Sequence, residues 1–313
     1  MKKRLLFLIQ ILVILFAKAG LVTAEDQKMN IITTIFPIYD FARTVAGDHA
    51  DVSMLLPPGA ESHTYEPTPR DILKIQNADL FIYIGGESDM WVDQILSSLG
   101  DKKPRTLVLI HSVNALPEEV VPGMQAEEES PTSGEAEVVY DEHIWTSPLN
   151  AIKMVDAITV ALSELDPAHA ADFENNRAAL DQKFQELDQT FRDIVKTAKR
   201  KTIIVGDRFP FRYLTEEYGL EYYAAFPGCS AEVEPSASTV AFLIEKVKAE
   251  KIPIVFYIEF STHKIADAIA DATGAKTMLL HSAHNVSQED IDSGITYLNI
   301  MSENAEKLRE ALN

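Results

Sequence analysis

The sequence predicts an α/β protein with two lobes, because short apolar runs alternate with amphipathic stretches in two separate halves of the chain. Each half contains four strand-like runs, and a long helical pattern separates the halves. Alternating strands and helices are typical of parallel βαβ units. The chain has 313 residues, of which 46% are apolar, so it has enough material for two cores of ordinary size.

The first residues are typical of a secretory signal peptide. Basic residues 2–4 precede an apolar run at residues 5–17, and residues 22–24 (Val-Thr-Ala) suit cleavage before Glu25. The apolar run is shorter than the ~20 residues of a membrane span. We therefore expect residues 1–24 to be removed rather than kept as a membrane anchor. No cysteine lies near the cleavage point, so we expect no N-terminal lipid anchor.

The first lobe is expected to comprise residues 25–166. Strands are predicted at residues 31–36, 52–56, 80–84 and 106–110, and helices at residues 38–46, 69–76 and 91–99. Residues 117–142 are rich in Glu, Pro, Ser and Gly, which predicts a flexible acidic loop. Ser147 and Pro148 then resemble a helix N-cap followed by proline at the first helical position, and this helix should end near residue 164.

Residues 167–198 predict a stiff helix that connects the lobes, although an ordinary surface helix would give a similar pattern. No glycine or proline follows Pro167 in this stretch. Its apolar residues recur at helical spacing of three and four: Leu180, Phe184, Leu187, Phe191 and Ile194.

The second lobe is expected to comprise residues 199–313. Strands are predicted at residues 202–205, 220–225, 254–258 and 276–280, and helices at residues 211–218, 239–248, 263–273 and 290–312. In open parallel sheets, ligands bind beyond the carboxyl ends of the strands. A cleft between two such lobes is therefore the expected place for a binding site.

Three histidines stand in loops or directly after predicted strands, namely His63, His143 and His281. Imidazoles at such positions, with carboxylates nearby, suit a divalent transition metal, but a single loop histidine is more often solvated or a capping residue. No HExxH or CxxC pair strengthens the pattern. His284 is the one serious substitute for His281.

Several other side chains are candidates to complete a metal site. Asp207 follows the strand at residues 202–205, where a helix-capping role is equally consistent with its position. Glu259 ends another predicted strand, and Glu61 precedes His63. Cys229 is a possible soft ligand, although a lone cysteine is more often an inert small residue.

The charge of the chain restricts its partners. The formal net charge is −20, which repels nucleic acid and anionic lipid and attracts cations. We therefore expect no nucleic-acid partner. A soluble acidic exported protein would explain the charge equally well. The single cysteine excludes an internal disulfide.

Four segments together resemble the metal-binding solute-binding proteins of ABC transporters for zinc and manganese. They are residues 33–41 (TTIFPIYDF), 58–69 (PGAESHTYEPTP), 141–148 (DEHIWTSP) and 232–236 (EVEPS). The resemblance implies two four-stranded lobes that are joined by one rigid helix, with the metal between them.

The same resemblance implies a set of ligands. His63 and His143 match the two ligands of the first lobe. The second lobe departs from the family, because Gly206 occupies the usual place of a His or Glu and His281 that of an Asp. The implied set is His63, His143 and His281, completed by Asp207, Glu61 or water.

The expected function is the capture of Zn²⁺, with Mn²⁺ as the second candidate, and its delivery to the membrane permease of an ABC importer. We expect an exported protein, periplasmic or at the extracytoplasmic surface, that is a monomer and not an enzyme. One alternative is an exported zinc-dependent hydrolase with Glu61 or Asp207 as general base. The other is a metal-binding surface adhesin.

Overall fold

A computed structural model of the protein describes residues 28–124, 138–229 and 234–313. The predicted signal peptide lies outside the described residues. So do residues 125–137 of the predicted acidic loop and residues 232 and 233 of the fourth motif. In the described ranges, no helix is long and apolar enough to cross a membrane.

The first lobe is built on a parallel sheet of four strands. The strands are β1 (Met29–Thr33), β2 (Ala50–Met54), β3 (Leu80–Tyr83) and β4 (Arg105–Val108). Their order across the sheet is β2-β1-β3-β4. Strand β3 is buried along its whole length, as expected for a parallel strand covered on both faces. All four predicted strands are present, with boundaries shifted by a few residues.

This lobe has four described α-helices, two of which begin at a side-chain cap. They are α1 (Phe36–Ala46), α2 (Pro69–Gln76), α3 (Met90–Leu99) and α4 (Pro148–Leu165). Thr68 and Asp71 form a reciprocal capping box at the start of α2. The Ser147 hydroxyl accepts a hydrogen bond from the backbone N–H of Asn150 at the start of α4, which confirms the predicted N-cap.

The two described ends of the acidic loop pair with each other. Pro117 and Tyr140 form an antiparallel bridge. The backbone N–H of Asp141 donates to the carbonyl oxygen of Leu116 over 2.9 Å. This pairing returns the chain to the lobe immediately before His143.

A single long helix joins the lobes. Helix α5 (Ala170–Thr197) has 28 residues and follows a short 3₁₀ turn at Pro167–His169, so it is about 42 Å long at ~1.5 Å per residue. The predicted apolar stripe is buried. The ring of Phe184 lies 5.5 Å from that of Phe41 in the first lobe and 5.7 Å from that of Tyr297 in the second. Both lobes therefore pack on this helix.

The second lobe repeats the architecture of the first. Its strands are β5 (Thr202–Arg208), β6 (Glu221–Phe226), β7 (Ile254–Tyr257) and β8 (Lys276–Leu279). All pairings are parallel, in the order β6-β5-β7-β8. Two four-stranded parallel sheets joined by one long helix confirm the predicted fold class.

The helices of the second lobe agree with the prediction except at the carboxyl terminus. They are α6 (Arg212–Tyr218), α7 (Ala237–Glu250), α8 (Lys264–Thr273), α9 (Gln288–Ser293) and α10 (Tyr297–Leu312). The single helix predicted at residues 290–312 is wrong. Gly294 adopts φ 77° and ends α9, and Thr296 starts α10 with a new capping box. The left-handed glycine is a standard helix terminator.

Buried hydrogen bonds continue from one lobe to the other through Trp145 and Tyr297, whose side chains are fully buried. The indole Nε1 of Trp145 donates to the carbonyl oxygen of Ser282 over 2.8 Å. The hydroxyl of Tyr297 donates to the carbonyl oxygen of Trp145. These bonds hold the segment after His143 against the loop after β8.

Candidate metal site between the lobes

His63 lies in the loop between β2 and α2, and this loop is held against the second lobe. The side-chain amide of Asn285 donates to the carbonyl oxygens of Pro57 (2.8 Å) and Ala60 (2.9 Å). On the His63 ring, Nδ1 lies 3.0 Å from the hydroxyl oxygen of Ser88. Because Nδ1 is engaged there, Nε2 is the nitrogen that remains for a ligand.

His143 is fully buried at the foot of the acidic segment. Asp141 Oδ1 accepts the backbone N–H of His143 over 2.8 Å and lies 3.1 Å from its Nδ1. The Nε2 atom of His143 has no hydrogen-bond partner among the described residues. Leaving a buried ring nitrogen unpaired is unfavourable. This atom therefore points to a ligand that completes the site.

His284 is the histidine that the second lobe contributes. It lies in the loop after β8 and is buried. Its Nδ1 lies 3.2 Å from the hydroxyl oxygen of Ser62, and its backbone N–H donates to the hydroxyl of Ser282 over 3.2 Å. As at His63 and His143, the hydrogen bond of the ring involves Nδ1.

The three imidazoles surround one point. The ring centroids of His63 and His143 are 5.8 Å apart, and the centroid of His284 lies 5.4 Å from each of them. Together with Glu142, the three rings offer four ligand atoms that lie within 4.8 Å of one another. Four nitrogen and oxygen donors in such a group suit tetrahedral Zn²⁺.

Glu142 also fixes the ring of His63 through Ser88. The carboxylate accepts the backbone N–H of Ser88 over 2.8 Å and the hydroxyl of Ser88 over 2.5 Å. Because the hydroxyl proton is given to Glu142, the hydroxyl oxygen accepts from Nδ1–H of His63. This assigns the tautomer in which Nε2 of His63 carries the lone pair for a metal.

Burial and charge set the protonation of the three rings differently. Burial, with a smaller effect of neighbouring positive charge, holds the pKa of His63 and of His284 well below the ordinary value. At His143 burial also lowers the pKa, but the charge and hydrogen bond of Asp141, with the charges of Glu142 and Glu118, together outweigh burial, and the pKa is raised overall. His63 and His284 are therefore neutral near neutral pH, and His143 holds a proton most readily.

His281, predicted as the second-lobe ligand, lies outside this cluster. Its Nδ1 accepts the backbone N–H of Ala283 over 2.9 Å and lies 3.5 Å from Glu259. Ala283 has a positive φ of 61°. This left-handed backbone lies between His281 and His284, and it is His284 rather than His281 that lies with the other histidines.

Asp207 and Gly206 are also outside the cluster. Burial raises the pKa of Asp207, whose carboxylate accepts hydrogen bonds from Ser261 and from the backbone N–H of Arg208. A Cβ atom at Gly206 would lie 2.6 Å from the Cα atom of Ala266. The close approach of α8 to β5 therefore requires glycine at this position.

The three remaining candidates have other partners. Glu61 forms an ion pair with Arg208 over 2.7 Å. Glu259 accepts hydrogen bonds from the backbone N–H and the hydroxyl of Ser282, and so fixes the loop that carries His284. Cys229 is buried, and its backbone N–H donates to Glu118 over 2.9 Å. Glu61 and Glu259 line the cavity of the histidines.

Several side chains of this site were not predicted from the sequence, among them Asp141 and Ser62, which hold the rings of His143 and His284. Glu142 ends the segment predicted as an acidic loop, and its place beside His143 was a usable signal. Ser88 and Arg208 gave no signal, because their roles depend on loops that meet only in the folded chain.

A two-lobed α/β fold with histidines from both lobes around one point defines a metal-binding protein whose site lies between its lobes. The family model for the periplasmic zinc-uptake complex component A, ZnuA, matches residues 31–311, and the chain belongs to this family. The resemblance inferred from the motifs is thereby confirmed.

Individual relatives agree with the family match. The chain is 34% identical to the zinc-binding lipoprotein AdcA of Streptococcus pneumoniae over 312 residues, which is 99% of this chain and 61% of that protein. It is 32% identical over 295 residues to the high-affinity zinc uptake system protein ZnuA of Bacillus subtilis, covering 94% of this chain and 90% of that protein. The chain thus spans only about three fifths of the length of the pneumococcal relative.

A solved structure supports the fold in the same way. The Zn(II)-bound ZnuA-like domain of Streptococcus pneumoniae AdcA matches with a TM-score of 0.75 and 34% identity. The match covers 91% of this chain and 99% of that chain. The comparisons do not favour the hydrolase considered from the sequence.

Proposed function

We propose that this protein captures Zn²⁺ between its lobes and delivers it to the permease of an ABC importer. The observation that carries the proposal is the convergence of His63, His143 and His284 on one buried point, with Glu142 beside them. The zinc-binding relatives support the choice of metal.

Each proposed ligand has a distinct role. The three imidazoles bind the ion through Nε2, because their Nδ1 atoms are held by Ser88, Asp141 and Ser62. Glu142 offsets part of the ionic charge. This set replaces the His281 and Asp207 expected from the sequence. Nitrogen-rich ligands favour Zn²⁺ over Mn²⁺, which prefers oxygen.

Delivery requires no bond chemistry, so the protein acts as a carrier and not as an enzyme. The permease is its proposed partner, and the protein works as an exported monomer that binds no nucleic acid. The negative charge of the chain, −20 formally, supports cation capture over nucleic-acid binding.

A zinc titration tests the proposal. Isothermal calorimetry on the metal-stripped protein should show one tight zinc site that His63→Ala weakens severely. His281→Ala and His263→Ala serve as controls, because His281 lies outside the cluster and His263 is exposed. Both control variants should bind zinc like the unmodified protein. Tight binding that survives His63→Ala, or that depends on His281, would contradict the assignment.

A further inference from the structure

The loop that carries His63 begins with a tight turn. The backbone N–H of Ala60 donates to the carbonyl oxygen of Pro57 over 3.0 Å. Pro58 and Gly59 lie at the two central positions, and Gly59 has a φ of 78°. Proline followed by a glycine with positive φ is typical of a type II turn. The turn therefore has a defined backbone shape, and its carbonyl oxygens are held in fixed directions.

Asn285 of the second lobe bonds to both ends of this turn. Its side chain is buried. The Nδ2 atom donates to the carbonyl oxygen of Pro57 over 2.8 Å and to that of Ala60 over 2.9 Å. The Oδ1 atom accepts the backbone N–H of Val286 over 2.9 Å. Because an amide side chain has two N–H donors, both are used on the turn, while the oxygen fixes the side chain to its own loop.

Two further contacts join the same two loops. The backbone N–H of Gly59 donates to the carbonyl oxygen of Val286 over 2.9 Å. The hydroxyl oxygen of Ser62 lies 3.2 Å from Nδ1 of His284. Ser62 stands directly before His63 in the chain. The position of the turn therefore affects one proposed ligand through the backbone and a second one through Ser62.

His63 thus has two supports of different kinds. Its ring is oriented by Ser88, within the first lobe. The backbone of its loop is bonded to the second lobe through Asn285. Metal–ligand distances in well-formed sites vary by only about 0.2 Å. A ring that is correctly oriented on a displaced backbone would therefore still fail to reach the metal.

We propose that Asn285 is a positioning residue that sets the distance between His63 and His284 before zinc binds. It acts through other residues and not as a ligand, since it holds the turn that precedes His63 and, through Ser62, the ring of His284. Ligands that are already in place lose little further freedom on binding, which increases affinity. The inference rests on the proposed function of the histidine site.

A double-mutant cycle in the full chain tests this inference. Zinc affinity is measured by competition with a chromophoric chelator for Asn285→Ala and for Asn285→Leu, which keeps most of the side-chain volume. Both variants lose all three side-chain hydrogen bonds and should bind zinc about tenfold more weakly, or weaker still. In a His63→Ala background, Asn285→Ala should cost clearly less, because one of the two ligands that it positions is already absent.

A spectroscopic signature separates positioning from a general role in folding. Co²⁺ serves as the probe, because its visible absorption bands are intense in a tetrahedral site and weak at higher coordination numbers. The unmodified protein should give intense bands. Asn285→Ala should give weak ones, because water replaces a displaced histidine. A residue that served only to stabilise the fold would leave the spectrum of bound cobalt unchanged.

Asn176→Ala is the matched control. The Nδ2 atom of Asn176 donates to the carbonyl oxygen of Val45 over 3.0 Å. Val45 lies at the end of α1 that leads to the amino end of β2, whereas His63 follows the carboxyl end of that strand. This variant should lower the thermal stability of the metal-free protein and leave both the zinc affinity and the cobalt spectrum unchanged.

Hydrogen exchange on the unmodified, metal-free protein keeps the inference testable if the Asn285 variants do not fold. The backbone N–H of Gly59 should be protected from exchange, because the proposal requires the two loops to be joined without metal. In a folded Asn285→Ala this protection should be lost.

The outcomes are distinct. Unchanged zinc affinity in a folded Asn285→Ala would overturn the inference. So would an equal loss in the His63→Ala background, or free exchange at Gly59 in the metal-free protein. An unmodified protein that binds no zinc, or binding that is unchanged in His143→Ala, would instead refute the proposed function itself.

Discussion

Three of the four proposed ligands belong to the first lobe, whereas the second lobe contributes His284 alone. The first-lobe groups are fixed within their own lobe, since Ser88 joins Glu142 to His63 and Asp141 holds His143. The ring of His284 depends on the other lobe, because its Nδ1 lies against Ser62. The first lobe is therefore the preformed half of the site, and the second lobe supplies the ligand that completes it.

The largest expected effect separates the two halves directly. His143→Ala removes a fully buried first-lobe ligand. It should reduce zinc affinity by more than about 100-fold, because losing a ligand should cost more affinity than losing a residue that only orients a ligand. His284→Ala should lose less, because His63, Glu142 and His143 remain in place. Chelator competition measures both, with His263→Ala as the exposed control. A greater loss in His284→Ala would reverse the assignment of the preformed half.

The pH dependence should distinguish His143 from the other two histidines. The pKa of His143 is raised, so its proton must be displaced when metal binds, and affinity should fall as pH decreases through that pKa. The pKa values of His63 and His284 are lowered, so these rings compete with protons only at lower pH. As pH falls through the raised pKa of His143, affinity should therefore change by at most about tenfold per pH unit, the slope of a single proton.

The same raised pKa has an opposite effect on the metal-free fold. A proton on His143 stabilises the folded state below the ordinary pKa, and this contribution is lost as pH rises through the raised value. Zinc affinity measured across a pH series, beside thermal unfolding of the metal-free protein, checks both directions. A slope close to three protons would show that all three rings titrate together.

The smallest expected effect concerns support within the first lobe. Ser88→Ala removes the hydroxyl that joins Glu142 to His63, and should weaken zinc binding about tenfold by freeing both ligands to reorient. Ser98→Ala is the matched control, because its hydroxyl donates to the carbonyl oxygen of Ile95, within the same helix. Equal affinities in the two variants would show that Ser88 does not position the ligands.

The fold was predictable from the sequence because its signals are local. Every strand produced an apolar run, and the buried stripe of α5 appeared as a spacing of three and four. The division between α9 and α10 was not predicted, because Gly294 lies inside an otherwise helical pattern. A glycine in such a pattern is compatible with either continuation or termination.

The candidate site was less predictable because it is assembled from loops. His63 and His143 stood in recognisable motifs. The choice between His281 and His284 depends on the left-handed backbone of Ala283, and alanine gives no sequence signal for that conformation. The pairing of Glu61 with Arg208 joins residues far apart in sequence, so it becomes visible only when both lobes are in place.

The central claim is that one zinc ion is held by both lobes through His63, His143 and His284, with Glu142 completing the site. A crystal structure of the zinc-loaded protein, with anomalous diffraction at the zinc edge, tests it most directly. We expect a single strong peak at about 2.0–2.2 Å from Nε2 of each histidine and from a carboxylate oxygen of Glu142. A peak coordinated by His281 or Asp207, or a peak outside the cleft, would contradict the account.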